Sequence, residues 1–398
     1  MLENRLLVEN RLLVARIYDE MKTFSKNIDV NFFHGLHDLL TSVKTMIGHG
    51  ETTYDDIIER LSLDQGCTQE QTIELAQDFF GSINPVYKKQ FEEMISTGTL
   101  TFAFANADGL SIEDSNQSKI ILTGNYGDFH VLVHEATHNF NPLGNGNNRS
   151  ALSELLCEVG AISMEMLSND YFRKQKNINQ FASDDFCSTR DLDLKESDFF
   201  QISNIRAFVD LFNNQKNGNT DFNNASLTAA KALCPYSLPF VIQAPFAIKS
   251  SFALAVSGFS HQLGYILATY IHEKISENPA NIQMLEGIIQ ALNMSTEKEE
   301  EAIKILSEIG IPIVRDGKLS LDDENINLLG VYFKKSHERR NSDKSQDDIS
   351  DLSETAGQVS VQQLVKESII AIPDLTILNE IPPLPVDKQI RDTKLQIR

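Results

Sequence analysis

Two histidines and one glutamate in the stretch VLVHEATHNFNP (131–142) could together bind and use a metal ion. On a helix, His134 and His138 lie one turn apart on the same face, so that two imidazole nitrogens can converge on one ion. Glu135, one step further round, can hold a water molecule at that ion. Zinc lowers the pKa of such a water and polarises a carbonyl, while the carboxylate takes the proton and passes it to a leaving amine. The spacing therefore predicts a Zn²⁺ site suited to peptide hydrolysis.

A catalytic zinc needs a third protein ligand and an open fourth position, and the next predicted helix offers two candidates. In ALSELLCEVGAISMEML, Glu154 and Glu158 lie one turn apart on one face, and either could reach the ion. Apolar neighbours such as Leu155 and Leu156 indicate a buried helix rather than a solvated one, so acids on it need partners. The residues alone leave the choice between the two glutamates open.

The segment SALSELLCEVGAISME resembles the second zinc helix of the thermolysin-like gluzincins. In that family a ligand glutamate is followed four residues later by an aspartate that hydrogen-bonds a ligand histidine. The resemblance covers about residues 100 to 165 and implies that Glu154 is the third zinc ligand and Glu158 the acid that orients the histidine. The gap from His138 to Glu154 is about one turn shorter than in thermolysin, whose spacing would select Glu158 instead. The paired-acid pattern favours Glu154, because helix phase should survive loop shortening.

The same family uses a histidine or a tyrosine further downstream to steady the oxyanion. His261, in SGFSHQLGY ahead of an apolar helical run, is similar in placement to that histidine, and Tyr265 lies one turn further on. The resemblance therefore implies catalytic roles for both residues. The alternative for His261 is a hydrogen-bonded core position, which is common for a lone histidine in an apolar helix.

The elements that must position these residues follow from the pattern around them. The runs TLTFAFANA and SKIILTG are β-prone and predict two strands, with DGLSIEDSNQ as a polar turn between them. The HEATH segment and the acid-bearing segment after it predict two helices. The fold class is predicted to be α+β and zincin-like, with a small mixed sheet over the HExxH helix and a mostly helical remainder.

Changes in composition and hydrophobic pattern along the sequence predict four regions. They are a helical N-terminal region (1–95), a catalytic core (96–290), a small C-terminal subdomain (291–335) and a tail (336–398). The tail begins with SHERRNSDKSQDDISDLSETAGQ, which is charged, Ser-rich and almost without apolar residues. That composition is typical of disorder.

Composition excludes several function classes. The formal net charge of −21, from 35 basic and 56 acidic side chains, argues against nucleic acid or an anionic membrane as the main partner. The four cysteines have no short spacing typical of a zinc knuckle or a disulfide framework. The apolar window 251–271 carries His261 and Gln262 at its centre, which argues against a membrane span. The partner predicted from the chemistry of the HEATH segment is a protein or peptide substrate.

The N-terminal residues lack the basic head and unbroken apolar run of a Sec-type signal peptide, which predicts synthesis in the cytoplasm. A leaderless acidic chain with a Ser-rich C-terminal tail resembles the effectors that intracellular bacteria inject into host cells by type IV secretion. That resemblance implies export through a C-terminal signal and host proteins as partners.

The predicted function is a zinc-dependent peptidase. An endopeptidase is favoured because the Gly-x-Met-Glu-Asn signature of exopeptidases is absent from the sequence. The alternative is a zincin-like binding or scaffold protein whose metal site is structural or degenerate. The intact HExxH, with its glutamate, argues against degeneration.

Overall fold

The computed structural model describes residues 26–29, 31–47, 67–104, 111–114, 117–122, 124, 127–140, 151–174, 260–295 and 298–354. Helices dominate these residues. They are α1 (Phe32–Ile47), α2 (Gln69–Ile83), α3 (Pro85–Ser96), α4 (Gly127–Asn139), α5 (Ala151–Lys174), α6 (Ser260–Glu277), α7 (Ile282–Ser295), α8 (Glu299–Glu308) and α9 (Asp323–Glu354). None of the described helices combines the length and the apolarity needed to cross a bilayer.

Local capping explains where α2 and α3 begin. The Thr68 side chain accepts the Gln71 N–H while the Gln71 side chain accepts the Thr68 N–H, which is a capping box at the start of α2. Asn84 ends α2 and then caps α3 by accepting the Val86 N–H, with Pro85 at the first helical position. Both helices begin within the region 1–95 that the sequence predicts to be helical.

A small mixed sheet precedes the HEATH helix. Its strands are β1 (Leu100–Phe104), β2 (Ser111–Asp114) and β3 (Gln117–Leu122), in the order β1-β3-β2. β3 runs parallel to β1 and antiparallel to β2, so the sheet is mixed as predicted. The sequence interpretation missed β2, which lies inside the segment read as a polar turn. An edge strand can carry polar side chains because one of its sides is unpaired, so polarity alone does not distinguish it from a turn.

The end of α4 is tied to the central strand. The Asn139 amide donates to Ser118 Oγ of β3 over 3.0 Å and to the Glu135 carbonyl oxygen over 2.9 Å. At the other end of the helix, Asp128 Oδ2 accepts the backbone N–H of Gly124 over 2.7 Å. The contacts with Ser118 and Gly124 therefore fix the two ends of the helix that carries His134 and His138.

Helix α5 packs on both α4 and α6. Its contacts with α4 run in opposite order along the two chains, from His138–Glu158 to His130–Ser168, so these helices are antiparallel. Its contacts with α6 run in the same order, from Glu158–His261 to Asp170–His272, so these helices are parallel. The central position of α5 brings acids on one of its faces towards residues of both neighbours.

The C-terminal part contains a two-stranded hairpin of β4 (Val314–Arg315) and β5 (Lys318–Leu319), which Ile28 joins through a parallel bridge to Leu319. By contacts the chain divides into Met1–His337 and Glu338–Arg398. Helix α9 extends to Glu354 and so runs into the region 336–398 for which the composition predicts disorder. Charged, apolar-poor composition also suits a solvated helix. The rest of the predicted tail, 355–398, lies outside the described residues.

Candidate metal centre

Three side chains from α4 and α5 bring their ligand atoms together. His134 Nε2 lies 3.1 Å from His138 Nε2, and Glu158 Oε2 lies 3.3 Å from the first and 3.5 Å from the second. Within the described residues, His134, His138 and Glu158 form the group of potential ligands that could hold a metal ion. The helical spacing of HEATH supplies the two nitrogens, and the antiparallel approach of α5 supplies the oxygen.

The dimensions of this triangle fit a tetrahedral zinc. Zinc holds nitrogen and oxygen ligands at about 2.0 to 2.2 Å, and near-tetrahedral angles of about 100 to 110° then place two ligand atoms about 3.1 to 3.6 Å apart. Glu158 Oε2 is buried and has no hydrogen-bond donor among the described residues, although imidazole nitrogens lie at ion-pair distance. A buried carboxylate oxygen without a donor is costly unless a cation satisfies it. The donor set of two imidazoles and one carboxylate is one that zinc accepts.

The second nitrogen of His134 faces another acid of α5. Glu165 Oε2 lies 2.9 Å from His134 Nδ1, so the ring is held between two carboxylates. Burial disfavours the protonated ring, but the two neighbouring carboxylates of Glu158 and Glu165 outweigh it and hold the pKa of His134 well above its usual value. A carboxylate at Nδ1 fixes the orientation of a metal-binding imidazole and raises its basicity.

The carboxylate of Glu158 lies at ion-pair distance from three histidines. Its side chain is 9% exposed, and His261 Nδ1 at the start of α6 lies 3.3 Å from the same Oε2. Burial opposes ionisation, yet the charges of His138 and His261 outweigh it and hold the pKa of Glu158 well below its usual value. Glu158 is therefore an ionised ligand candidate at neutral pH.

The structure places the other predicted site residues differently. Glu135 is half-buried on α4 next to His134. Glu154 lies in α5 one turn before Glu158, but its side chain is outside the described residues. His261 is 55% exposed beside the cluster. Tyr265 is fully buried and its ring packs edge-to-face on Phe333, and its catalytic role stays a prediction.

Comparisons with known proteins add a distant likeness. No family model matches the chain, and no curated protein matches it. Three solved structures that are similar to it are peptidases by name. A proposed peptidase from Chlamydophila abortus is 18% identical over 84% of this chain and 62% of its own, with a TM-score of 0.46.

The other two are more distant. PZ peptidase A with an inhibitor is 15% identical over 82% of this chain and 58% of its own, with a TM-score of 0.42. A proposed oligoendopeptidase F is 12% identical over 75% of this chain and 57% of its own, with a TM-score of 0.40. The chain thus spans less than two thirds of the length of the structures it resembles, and a likeness of this degree assigns no activity.

Sequence reasoning missed Glu165. The signal was present, because Glu165 follows Glu158 by seven residues and two turns of a helix return to the same face. The prediction rested on the acid pair at a spacing of four, Glu154 and Glu158, and not on the pair at a spacing of seven, Glu158 and Glu165. The packing of α5 against α4 shows that Glu158 and Glu165 contact the two ring nitrogens of His134.

Proposed function

We propose that this chain is a zinc-dependent peptidase of the zincin type. The observation that carries the proposal is the triangle of His134 Nε2, His138 Nε2 and Glu158 Oε2, whose sides of 3.1, 3.3 and 3.5 Å suit a tetrahedral ion with one open position. A structural zinc site uses four protein ligands, whereas the described residues supply three. Three ligands beside the glutamate of HExxH support catalysis over a structural role.

In this proposal Glu158 is the third ligand and Glu165 is the acid that orients His134. The geometry thus favours Glu158 rather than Glu154 as the third ligand, and Glu165 rather than Glu158 as the orienting acid. Glu158 meets the requirement for a ligand because it is buried, ionised and short of a donor at Oε2. Glu165 meets the requirement for an orienting acid because it contacts the nitrogen of His134 that faces away from the triangle.

Zinc, when bound, polarises the substrate carbonyl and lowers the pKa of a water molecule. Glu135 accepts a proton from the water that attacks the carbonyl carbon, and it delivers this proton to the amine nitrogen as the peptide bond breaks. His261 is exposed at the edge of the cluster, where its ring can donate to the developing oxyanion. An endopeptidase acting on protein or peptide substrates remains the favoured form of the activity.

The test is a comparison of the wild-type protein with Glu135→Gln. Wild-type protein should contain one zinc per chain by metal analysis and should cleave members of a peptide library. Glu135→Gln should keep the zinc and lose cleavage by about 10² to 10⁴-fold, because the general base is removed while the ligands remain. Zinc absent from the wild-type protein, or full activity in Glu135→Gln, would contradict the proposal.

Glu92→Gln is the matched control. Glu92 is exposed on α3, so the same change in charge there should leave both zinc content and cleavage unaltered. Export and host partners stay predictions, since residues after 354 lie outside the described part of the chain. A translocation reporter fused to the protein with and without residues 336–398 tests export, and equal translocation would contradict it.

A further inference from the structure

Cys157 lies against the carboxylate at the centre of the candidate metal centre. Its Sγ is 3.3 Å from Glu158 Oε1, a distance at which the thiol donates a hydrogen bond to that oxygen. The residue is buried, with 6% of its surface exposed. The thiol is the donor in this contact and the carboxylate oxygen is the acceptor.

The two oxygens of Glu158 have different surroundings. Oε2 faces the nitrogens of His134 and His138 and lacks a hydrogen-bond donor among the described residues. Oε1 accepts from the thiol of Cys157. Of the two oxygens of Glu158, Oε2 can therefore bind a cation, whereas Oε1 is held by Cys157 on the same helix.

We propose that Cys157 is a positioning residue that holds Glu158 Oε1 and so presents Oε2 alone to the metal. This inference rests on the proposed function. A carboxylate held at one oxygen binds an ion through the other oxygen only, which keeps a coordination position open for water. The thiol acts through Glu158 and is not itself a ligand, because the described ligand group contains only the two histidines and that glutamate.

Sequence reasoning gave Cys157 no role. A single buried cysteine is usually a small apolar residue of the core, and its neighbours Leu156 and Val159 fit that interpretation. The contact with Glu158 distinguishes the two roles, because packing needs only the volume of the sulfur whereas positioning needs its proton. Serine retains a donor with less volume, and alanine retains neither.

The test compares Cys157→Ala and Cys157→Ser with the wild-type protein. Zinc affinity is measured by competition with a chromogenic chelator, and the ligand field is followed by the absorption spectrum of the protein loaded with Co²⁺. Cys157→Ala should bind zinc about tenfold or more weakly and shift the cobalt bands, since the loss of a partner that orients a ligand typically has that effect. Cys157→Ser should restore affinity and spectrum towards wild type.

Cys67→Ala is the matched control. Cys67 is also buried, but its Sγ contacts Thr72 Oγ1 over 3.3 Å at the start of α2. Removing that thiol should lower the unfolding temperature without changing zinc affinity or the cobalt spectrum. The comparison separates loss of packing from loss of positioning.

Two results would overturn the inference. If Cys157→Ala binds zinc as tightly as the wild type with the same cobalt bands, the thiol does not position Glu158. If serine and alanine impair zinc binding equally, sulfur packing is responsible. In both cases wild-type zinc content and Glu135-dependent cleavage would stand, so the proposed function would survive. A wild-type protein that binds no zinc would remove both proposals together.

Discussion

Glu165 Oε2 lies 2.9 Å from His134 Nδ1, while Glu158 Oε2 lies 3.3 Å from the other nitrogen of the same ring. Glu158 and Glu165 are seven residues apart on α5, so they lie on the same face of that helix and both contact the ring of His134. Together these two contacts fix the orientation of the His134 ring. Pre-set ligand geometry of this kind is what a precise metal site requires.

Removing the Glu165 carboxylate should weaken zinc binding. In Glu165→Ala the ring of His134 loses its partner at Nδ1, and we expect the zinc affinity to fall about 10 to 100-fold. Glu165→Gln should fall less, because the amide oxygen can still accept the Nδ1 proton but carries no charge. Chelator competition at pH 7.5 measures both values. An affinity in Glu165→Ala equal to that of the wild type would show that Glu165 does not support His134.

The third ligand can be identified with a pair of variants. Glu158→Gln should lose stoichiometric zinc because it removes the charge that closes the triangle, whereas Glu154→Gln should retain zinc and most of the activity. Metal analysis after gel filtration gives the zinc content of each protein, and circular dichroism confirms that each one folds. The reverse result, with zinc lost only in Glu154→Gln, would restore the role that the family resemblance implies.

Local pattern predicted some parts of this site and missed others for physical reasons. His134 and His138 were found because the helical period places residues four apart on one face. The sequence predicted Glu154 and Glu158 as candidates but not Glu165, because several acids of α5 lie on one face and choosing among them requires the approach of α5 to α4, which is a long-range contact. Strand β2 was missed because its polar side chains suit an edge strand as well as a turn.

The downstream residues His261 and Tyr265 should behave differently when altered. His261→Ala should lower kcat with little change in zinc content, because the proposed mechanism has this exposed ring beside the cluster donate to the oxyanion. Tyr265→Phe should keep nearly full kcat, because its ring packs on Phe333 in the core and that packing survives loss of the hydroxyl. Steady-state kinetics on one peptide substrate measure both effects. A large loss of kcat in Tyr265→Phe would return Tyr265 to the catalytic group.

Alkaline pH should destabilise the protein through Tyr87, whose ring stacks on Phe140 just after the HEATH helix. Burial, and then the charge of Glu286, raise the pKa of Tyr87 from 10.0 to about 12. The folded state keeps a proton that the unfolded state releases, so this stabilisation is complete below pH 10 and is lost as the pH rises towards 12. Urea unfolding from pH 8 to 11.5 should show a steeper fall for wild type than for Tyr87→Phe. If unfolding free energy falls equally with pH in the wild type and in Tyr87→Phe, the raised pKa of Tyr87 is contradicted.

The close approach of α5 and α6 beside the candidate metal centre depends on Gly264. A Cβ added there would lie 2.6 Å from Glu158 Cβ and 3.1 Å from the Glu158 carbonyl carbon, so the two helices would have to separate. We expect Gly264→Ala to cost about 1 to 3 kcal/mol of unfolding free energy through overpacking and to weaken zinc binding by displacing Glu158.

Gly160→Ala provides the control on the same helix as Glu158. Its added Cβ would meet Ile289 at 3.6 Å and Ile288 at 3.8 Å, which are ordinary contacts, and alanine in a helix is favoured over glycine by about 0.8 to 1 kcal/mol. Gly160→Ala should therefore be as stable as wild type or more so, with unchanged zinc affinity. Thermal unfolding with and without zinc measures both variants. If Gly264→Ala matches Gly160→Ala in stability and in zinc affinity, the α5–α6 contact does not set the position of Glu158.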